Sequence, residues 1–170
     1  MGGGAWPAAR DRLIGDSVII RTAAESDIPE VSRIECDSFS DPWSMQSFRQ
    51  SLDPERMHFL VARAPVAEQG DGELLGYVIA LLLSDEAEIA DIAVAKTARR
   101  RGVGGRMLDA MLAETARRGV LTVYLEVREA NHSARALYHS RHFREVGRRK
   151  GYYRNPSEDA LLLRRDLVPT

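Results

Sequence analysis

Two stretches of this sequence carry residue types and spacings that could do chemistry. The first is ARRRGVGGRML (98–108), where three arginines run into Gly102, Gly104 and Gly105 and a helical pattern follows at once. A helix entrance offers free backbone N–H groups and the positive end of the helix dipole, and glycine there lets a phosphate approach without meeting a Cβ. A pyrophosphate is therefore the candidate ligand. Close packing of the helix on a sheet is the other use such glycines have, and a solvated helix entrance is the other use for the arginines. The second stretch is LEVREANHSARALYHSRHF (125–143). Glu126 sits in the middle of a strand-like alternation, where glutamate is a poor choice unless something justifies it. It is either a general base in a partly dry cleft or a solvent-facing residue paired with Arg128 or Arg135. Tyr138 falls on the helix that follows. It is either a core residue or, if its phenol points into the same cleft, a proton donor.

Other chemistries fit less well. A nucleotide-phosphate loop of the usual kind ends in Gly-Lys-Ser/Thr, but Gly105 is followed by Arg106 and Met107. A dinucleotide-binding fingerprint needs a third glycine where Met107 stands. His58, His132, His139 and His142 have no Cys or carboxylate partner at a zinc-like spacing, so no metal is expected. His132 is a remote alternative acid or base. Cys36 lies on a predicted helix with no obvious base nearby, which argues little for a covalent route.

The elements that must position these residues follow from periodicity and punctuation. A strand is predicted over 17–23. Asp27, with Glu30 three residues on, has the spacing of a capping box for a helix to about Phe39. DPWS (41–44) breaks that helix, and Ser44 caps a short one to about Leu52. Strands over 57–63, 73–83 and 87–95 follow, the first two joined by a turn-rich loop. Val103, Met107, Leu108, Met111 and Leu112 recur at helical spacing, and Gly119 stops that helix. In LTVYLEVR (121–128), Leu121, Val123, Leu125 and Val127 share one face and Thr122, Tyr124, Glu126 and Arg128 the other. Asn131 caps the next helix, and two strands close the chain. Meandering strands followed by a β-α-β-α-β passage predict a mixed α/β sheet with helices on both faces.

The whole chain sets outer limits. Its 170 residues suggest one domain, with 16–170 as its extent and the Gly-, Ala- and Pro-rich residues 1–15 as a flexible arm. A net charge of −1 argues against bulk nucleic-acid binding, although nearly all the cations are arginine, with Lys96 and Lys150 the two lysines. The longest apolar run, Tyr77 to Leu83, is too short to span a bilayer, and the first residues lack a secretory signal. A single cysteine fits a reducing compartment, and a cytoplasmic location is expected.

The pattern of Arg99, Gly102 and Gly104, preceded by IAV (92–94), resembles the acyl-CoA pyrophosphate loop of the GNAT superfamily of N-acetyltransferases. LEVREANHSARALYHSRHF, SFSDPWS and YYRNPSEDALLL are similar, in the right order, to the RimI-like branch, the ribosomal-protein alanine N-acetyltransferases. The resemblance runs from about Ser17 to Leu167. It implies a GNAT fold, with a mostly antiparallel twisted sheet whose central strands splay, one of them bulged. It implies acetyl-CoA as cosubstrate, contacted by Ile92, Ala93, Val94, Arg100, Arg101, Gly102, Val103, Gly104, Gly105 and Asn131. It implies Glu126 as proton acceptor from an amine that attacks the thioester directly, and Tyr138 as proton donor to the leaving thiolate. The implied acceptor is the N-terminal alanine of a basic small-subunit ribosomal protein. Glu35, Asp37, Asp41 and Asp91 are candidates to line an acidic groove for it, or are simply solvated. Trp43, Tyr152 and Tyr153 either wall that groove or belong to the core. The same chemistry would serve an acetyltransferase of lysine or of a small amine, and a CoA-binding module without turnover is a further reading. The sequence departs from the family pattern at His142, where a glycine is usual before Phe143, and at Lys96, where a proline is common. The Gly-rich arm is extra.

Overall fold

The computed structural model describes residues 17–65 and 72–167, so the arm expected over 1–15 lies outside the described residues. The elements are β1 (Ile19–Thr22), α1 (Ile28–Ser38), α2 (Met45–Gln50), β2 (Met57–Arg63), β3 (Leu74–Leu83), β4 (Glu86–Val94), α3 (Val103–Arg117), β5 (Thr122–Arg128), α4 (His132–His139), β6 (Arg144–Tyr153) and β7 (Glu158–Asp166). Their order is the predicted one, with short 3-10 turns added at Glu25–Asp27 and Lys96–Ala98.

All seven strands form one sheet in the order β1-β2-β3-β4-β5-β7-β6. Every neighbouring pair is antiparallel except β4 and β5. β3 lies inside the sheet with helices over both faces, which is why its sequence LLGYVIALLL is apolar almost throughout rather than alternating. One face packs on α3 and α4 through Val78, Ala80, Ile89, Val123, Leu125, Met107, Leu108 and Met111. The other packs on α1 and α2 through Ile28, Val31, Phe48, Phe59, Tyr77 and Ile79. Each fully buried side chain of this kind contributes about 1.5–3 kcal/mol relative to leaving it in water.

Capping follows the sequence with one difference. Ser44 Oγ accepts from Ser47 N at 3.1 Å, and Asn131 Oδ1 accepts from Ala134 N at 3.1 Å. Gly119, at φ 84°, ends α3 in the left-handed conformation. Asp27 stands at the N-cap of α1, but its carboxylate makes no cap there. It accepts from Ala24 N at 2.8 Å and pairs with Arg21 at 2.7 Å and Arg63 at 2.6 Å. Glu30, expected to complete a capping box, pairs with Arg63 at 2.9 Å instead. Two guanidiniums outcompete a weak helix donor, and the result is a knot joining β1, β2 and α1.

His142 has φ 62°, a left-handed backbone that glycine adopts without strain. The left-handed step lets Phe143 N close on Tyr138 O at 3.1 Å and sends the Phe143 ring into the core, 5.9 Å from that of Tyr138. A Cβ in this conformation costs roughly 1–2 kcal/mol. His142→Gly is therefore expected to raise the melting temperature by about 2–4 °C for each kcal/mol recovered, read by calorimetry. An unchanged or lower midpoint would show that the imidazole repays the strain.

Candidate active site

The site begins with a fault in the sheet. β3 pairs Ile79 with Asp91 and Ala80 with Ile89, so Ala90 is an extra residue, a β-bulge in β4. Beside it, β4 and β5 pair only from Glu86 with Thr122 to Ile89 with Leu125. Beyond that point β4 stays with β3 and β5 stays with β7, leaving a wedge between Asp91–Val94 and Glu126–Arg128. The bulge and the splay expected from resemblance are thus both present. A strand edge released in this way offers backbone donors and acceptors to an extended ligand. Ala93 is buried, while Ile92 and Val94 are half-buried.

β4 runs directly into the glycine loop. Arg99 is held, its Nε donating to Val94 O at 3.0 Å and its Nη2 to Ser38 Oγ at 3.1 Å. Arg100 and Arg101 are exposed. The backbone is left-handed at Arg100 (φ 64°) and again at Gly102 (φ 79°), and the first α3 hydrogen bond is Arg106 N to Gly102 O at 3.1 Å. The N–H groups of Val103, Gly104 and Gly105 therefore precede the helical ladder, which leaves them available to an anion. A Cβ at Gly104 would lie 3.4 Å from Val94 Cγ2 and 3.5 Å from Leu137 Cδ2, ordinary packing distances, so the fold itself does not demand glycine there.

Glu126 and Tyr138 meet the wedge from opposite faces of the sheet. Val123, Leu125 and Val127 face α3 and α4, so Glu126 faces the α1 and α2 side. Its carboxylate is mostly covered, pairs with Arg149 Nη1 at 2.9 Å, and lies near enough to the Tyr152 hydroxyl to raise that phenol above its ordinary value. The partner is on β6, not Arg128 or Arg135. Arg128 pairs with Glu158 and stacks 4.1 Å over Tyr153, and Arg135 donates to Glu129 O. Tyr138 is buried in the α3/α4 core. Burial, and then the charges of Tyr153 and Asp91, push its phenol well above the ordinary tyrosine value. The phenol is thus protonated throughout the neutral range and lies within electrostatic reach of Asp91 on β4 and Tyr153 on β6. Burial and Glu126 push Tyr153 up to about 12.

One trio was not legible beforehand. Tyr77 Oη contacts Glu35 Oε2 and, at 3.0 Å, Asp91 Oδ2. The sequence offers Glu35 and Asp91 only as separate groove candidates, and Tyr77 lies inside an apolar strand. The available signal was polarity: Tyr77 is the only polar side chain of β3, and Asp91 interrupts the apolar end of β4. Asp37 and Asp41 are exposed. Trp43 is half-buried against Phe48, with centroids 5.7 Å apart. Asn131 is exposed and occupied as a cap. Among the described residues, no group of His, Cys, Asp and Glu side chains is placed to hold a metal ion.

A splayed mixed sheet, with a bulged strand feeding a glycine-rich helix entrance, is the architecture of an N-acetyltransferase. The chain belongs to the GNAT family of acetyltransferases, whose sequence profile matches residues 28–143. Within it the chain is RimI-like. It is 36% identical over 157 residues to N-alpha-acetyltransferase RimI of Mycobacterium tuberculosis (strain H37Rv), covering 89% of this chain and 94% of that one. It is 31% identical over 146 residues to the [ribosomal protein bS18]-alanine N-acetyltransferase of Escherichia coli (strain K12), covering 85% and 94%. The crystal structure of the ribosomal-protein-S18-alanine N-acetyltransferase from Escherichia coli superimposes with a TM-score of 0.77 at 30% identity, covering 88% of this chain and 93% of that one.

Proposed function

We propose that this enzyme transfers the acetyl group of acetyl-CoA to the α-amine of an N-terminal alanine on a small-subunit ribosomal protein, by direct attack without an acyl-enzyme. The observation that carries the reading is the wedge, which is continuous with the glycine loop at one end and flanked by Glu126 and Tyr138. Arg100 to Gly105 hold the pyrophosphate through backbone N–H groups and the two exposed guanidiniums. The released edge of Ile92, Ala93 and Val94 binds the pantetheine arm as a neighbouring strand would, and Asn131 borders the cofactor at the α4 entrance.

The acceptor approaches from the α1 and α2 face, between Trp43 and the Tyr152/Tyr153 pair. An α-amine has a pKa of about 7.7–8.0, so it arrives mostly protonated near neutrality. Glu126 takes that proton as the nitrogen attacks the thioester carbonyl. The C–N bond forms, the C–S bond breaks and Tyr138 supplies a proton to the departing sulfur, while the second proton that the nitrogen sheds on becoming an amide replaces it on the phenol. The relatives named for alanine acetylation of bS18 support the choice of acceptor. Acting on ribosomal proteins places the enzyme in the cytoplasm, and its partner is a basic protein rather than nucleic acid or membrane.

Acetyl-CoA with a basic peptide beginning in alanine tests this directly, beside the same peptide with a blocked α-amine and a free internal lysine. The expected mass-spectrometric result is one acetyl group on the free α-amine and none on the blocked peptide. Acetylation of lysine alone would overturn the acceptor assignment, and no transfer to either despite CoA binding would favour a binding module.

A further inference from the structure

The Glu35–Tyr77–Asp91 trio takes no part in the steps above, yet it sits at the foot of the wedge with Glu35 and Tyr77 buried and Asp91 half-buried. Glu35 is 1% exposed and Tyr77 0%. Tyr77 Oη contacts one oxygen of each acid, Oε2 of Glu35 and, at 3.0 Å, Oδ2 of Asp91, which brings the two carboxyl groups together on one phenol. A phenol has one proton to donate and a carboxylate none. Two oxygen–oxygen contacts with a single proton would leave one contact without a proton and two ionised carboxylates beside one phenol. Among the described residues no Arg, Lys or His makes an ion pair with either of them. Proton counting therefore requires a second proton between Glu35 and Asp91.

The trio also joins three parts of the molecule. Glu35 Oε1 accepts from Trp43 N at 2.8 Å, which ties down the segment between α1 and α2. Ser40 in the same segment donates to Asn155 O at 2.7 Å, in the loop between β6 and β7. Asp91 is the first residue after the bulge and belongs to the wall of the wedge. We propose that a proton shared by Glu35 and Asp91, and held by Tyr77, latches the α1–α2 segment to the bulged strand, making Asp91 a positioning residue for the acceptor peptide. The acceptor part of this inference rests on the function proposed above; the latch itself does not.

The groups around Asp91 are Glu35 from α1, Tyr77 from β3 and Tyr138 from α4. Glu88 on its own strand and Glu126 across the wedge lie on the same face of the sheet. No cation among them favours ionisation. Burial first, and then the charge of Glu35, push the Asp91 carboxyl up to about 7. The latch is closed below that pH and lost as the pH rises through it, when the Asp91 carboxyl becomes charged.

The direct test reads Trp43, whose backbone N–H is part of the latch. In a Trp6→Phe background, Trp43 is the sole tryptophan. Its emission in the full chain, without substrate, is expected to change in one step centred near pH 7, the value at which Asp91 titrates. Asp91→Asn keeps a donor toward Glu35 but cannot ionise, and is expected to abolish that step. Tyr77→Phe removes a donor that favours the ionised carboxylate and is expected to move the step to higher pH. An Asp91→Asn protein that keeps the step, or a parent without one between pH 5.5 and about 8.5, overturns the latch.

The positioning role is read with the α-N-acetylated product peptide, whose terminus does not titrate. One pH unit above the midpoint about a tenth of the enzyme is latched, so the peptide dissociation constant is expected to rise roughly tenfold there in the parent and to stay flat in Asp91→Asn. A fluorescence step with a flat parent affinity overturns the positioning role. A parent that binds no alanine-initiated peptide at any pH counts instead against the proposed function, while the fluorescence step still decides the latch.

Discussion

Glu126→Gln is expected to lower turnover by about 10²–10⁴-fold, the usual range for loss of a general base, while acetyl-CoA affinity stays within about twofold. The substitution keeps the shape of the side chain and an oxygen for the Tyr152 hydroxyl. Arg149, which loses its ion pair, is 56% exposed and is rehydrated without cost to the core. The loss is therefore chemical rather than structural. Its dependence on pH distinguishes a base from an orienting group. Near pH 7 most acceptor α-amines are protonated and need a base, whereas at pH 9 about 90% are already neutral. The gap between parent and variant is expected to narrow toward pH 9, measured by single-turnover acetylation. A gap that does not change with pH would make Glu126 an orienting residue, and parent-like turnover would remove it from the chemistry.

The largest expected effect on stability is at Asp27. This carboxylate is fully buried and receives Arg21, Arg63 and the N–H of Ala24. Asp27→Ala leaves Arg63, itself 5% exposed, without its closest partner, and breaking a buried pair of this kind costs about 3–5 kcal/mol. In a chain of this length that corresponds to a fall in melting temperature on the order of 10 °C. The interaction also has a pH signature. Burial alone would raise the carboxyl, but the hydrogen bonds from Arg21, Ala24 and Arg63 outweigh it and lower it from 3.8 to about 2. A group lowered on folding stabilises above its unfolded value, and that contribution fades as the pH falls through its folded value. The difference between parent and Asp27→Ala is expected to be full above about pH 4 and to shrink by about 2 kcal/mol near pH 2. Urea unfolding at both pH values checks this. A loss below about 1 kcal/mol would mean that Glu30 and the carbonyl of Gly72, which also receive Arg63, suffice to satisfy it.

Much of the molecule was readable locally. The strand Met57–Arg63, the helix Val103–Arg117, the stop at Gly119 and the caps Ser44 and Asn131 all follow from side-chain period and turn chemistry within a few residues. The same information assigns Glu126 to the face opposite Val123, Leu125 and Val127, and sets Gly102 to Gly105 at a helix entrance. These features depend on neighbours close in sequence, so the sequence by itself determined them.

Other features depend on which distant segments meet. β7 inserts between β5 and β6, and this brings Arg149 to Glu126 in place of the nearby arginines that a linear reading suggests. The extra residue at Ala90 and the early end of the β4–β5 pairing open the wedge, and neither leaves a mark in periodicity because each concerns register between strands. Asp27 has the spacing of a cap, but two arginines from other strands claim it. Glu35, Tyr77 and Asp91 are separated by 42 and 14 positions, and their contact exists only because α1 lies across β3 and β4. The sequence supplied Glu126, Tyr138 and the glycine loop as separate parts. Pairing across the sheet decided that they face one wedge, because long-range contacts are chosen by the burial of whole faces rather than by any local preference.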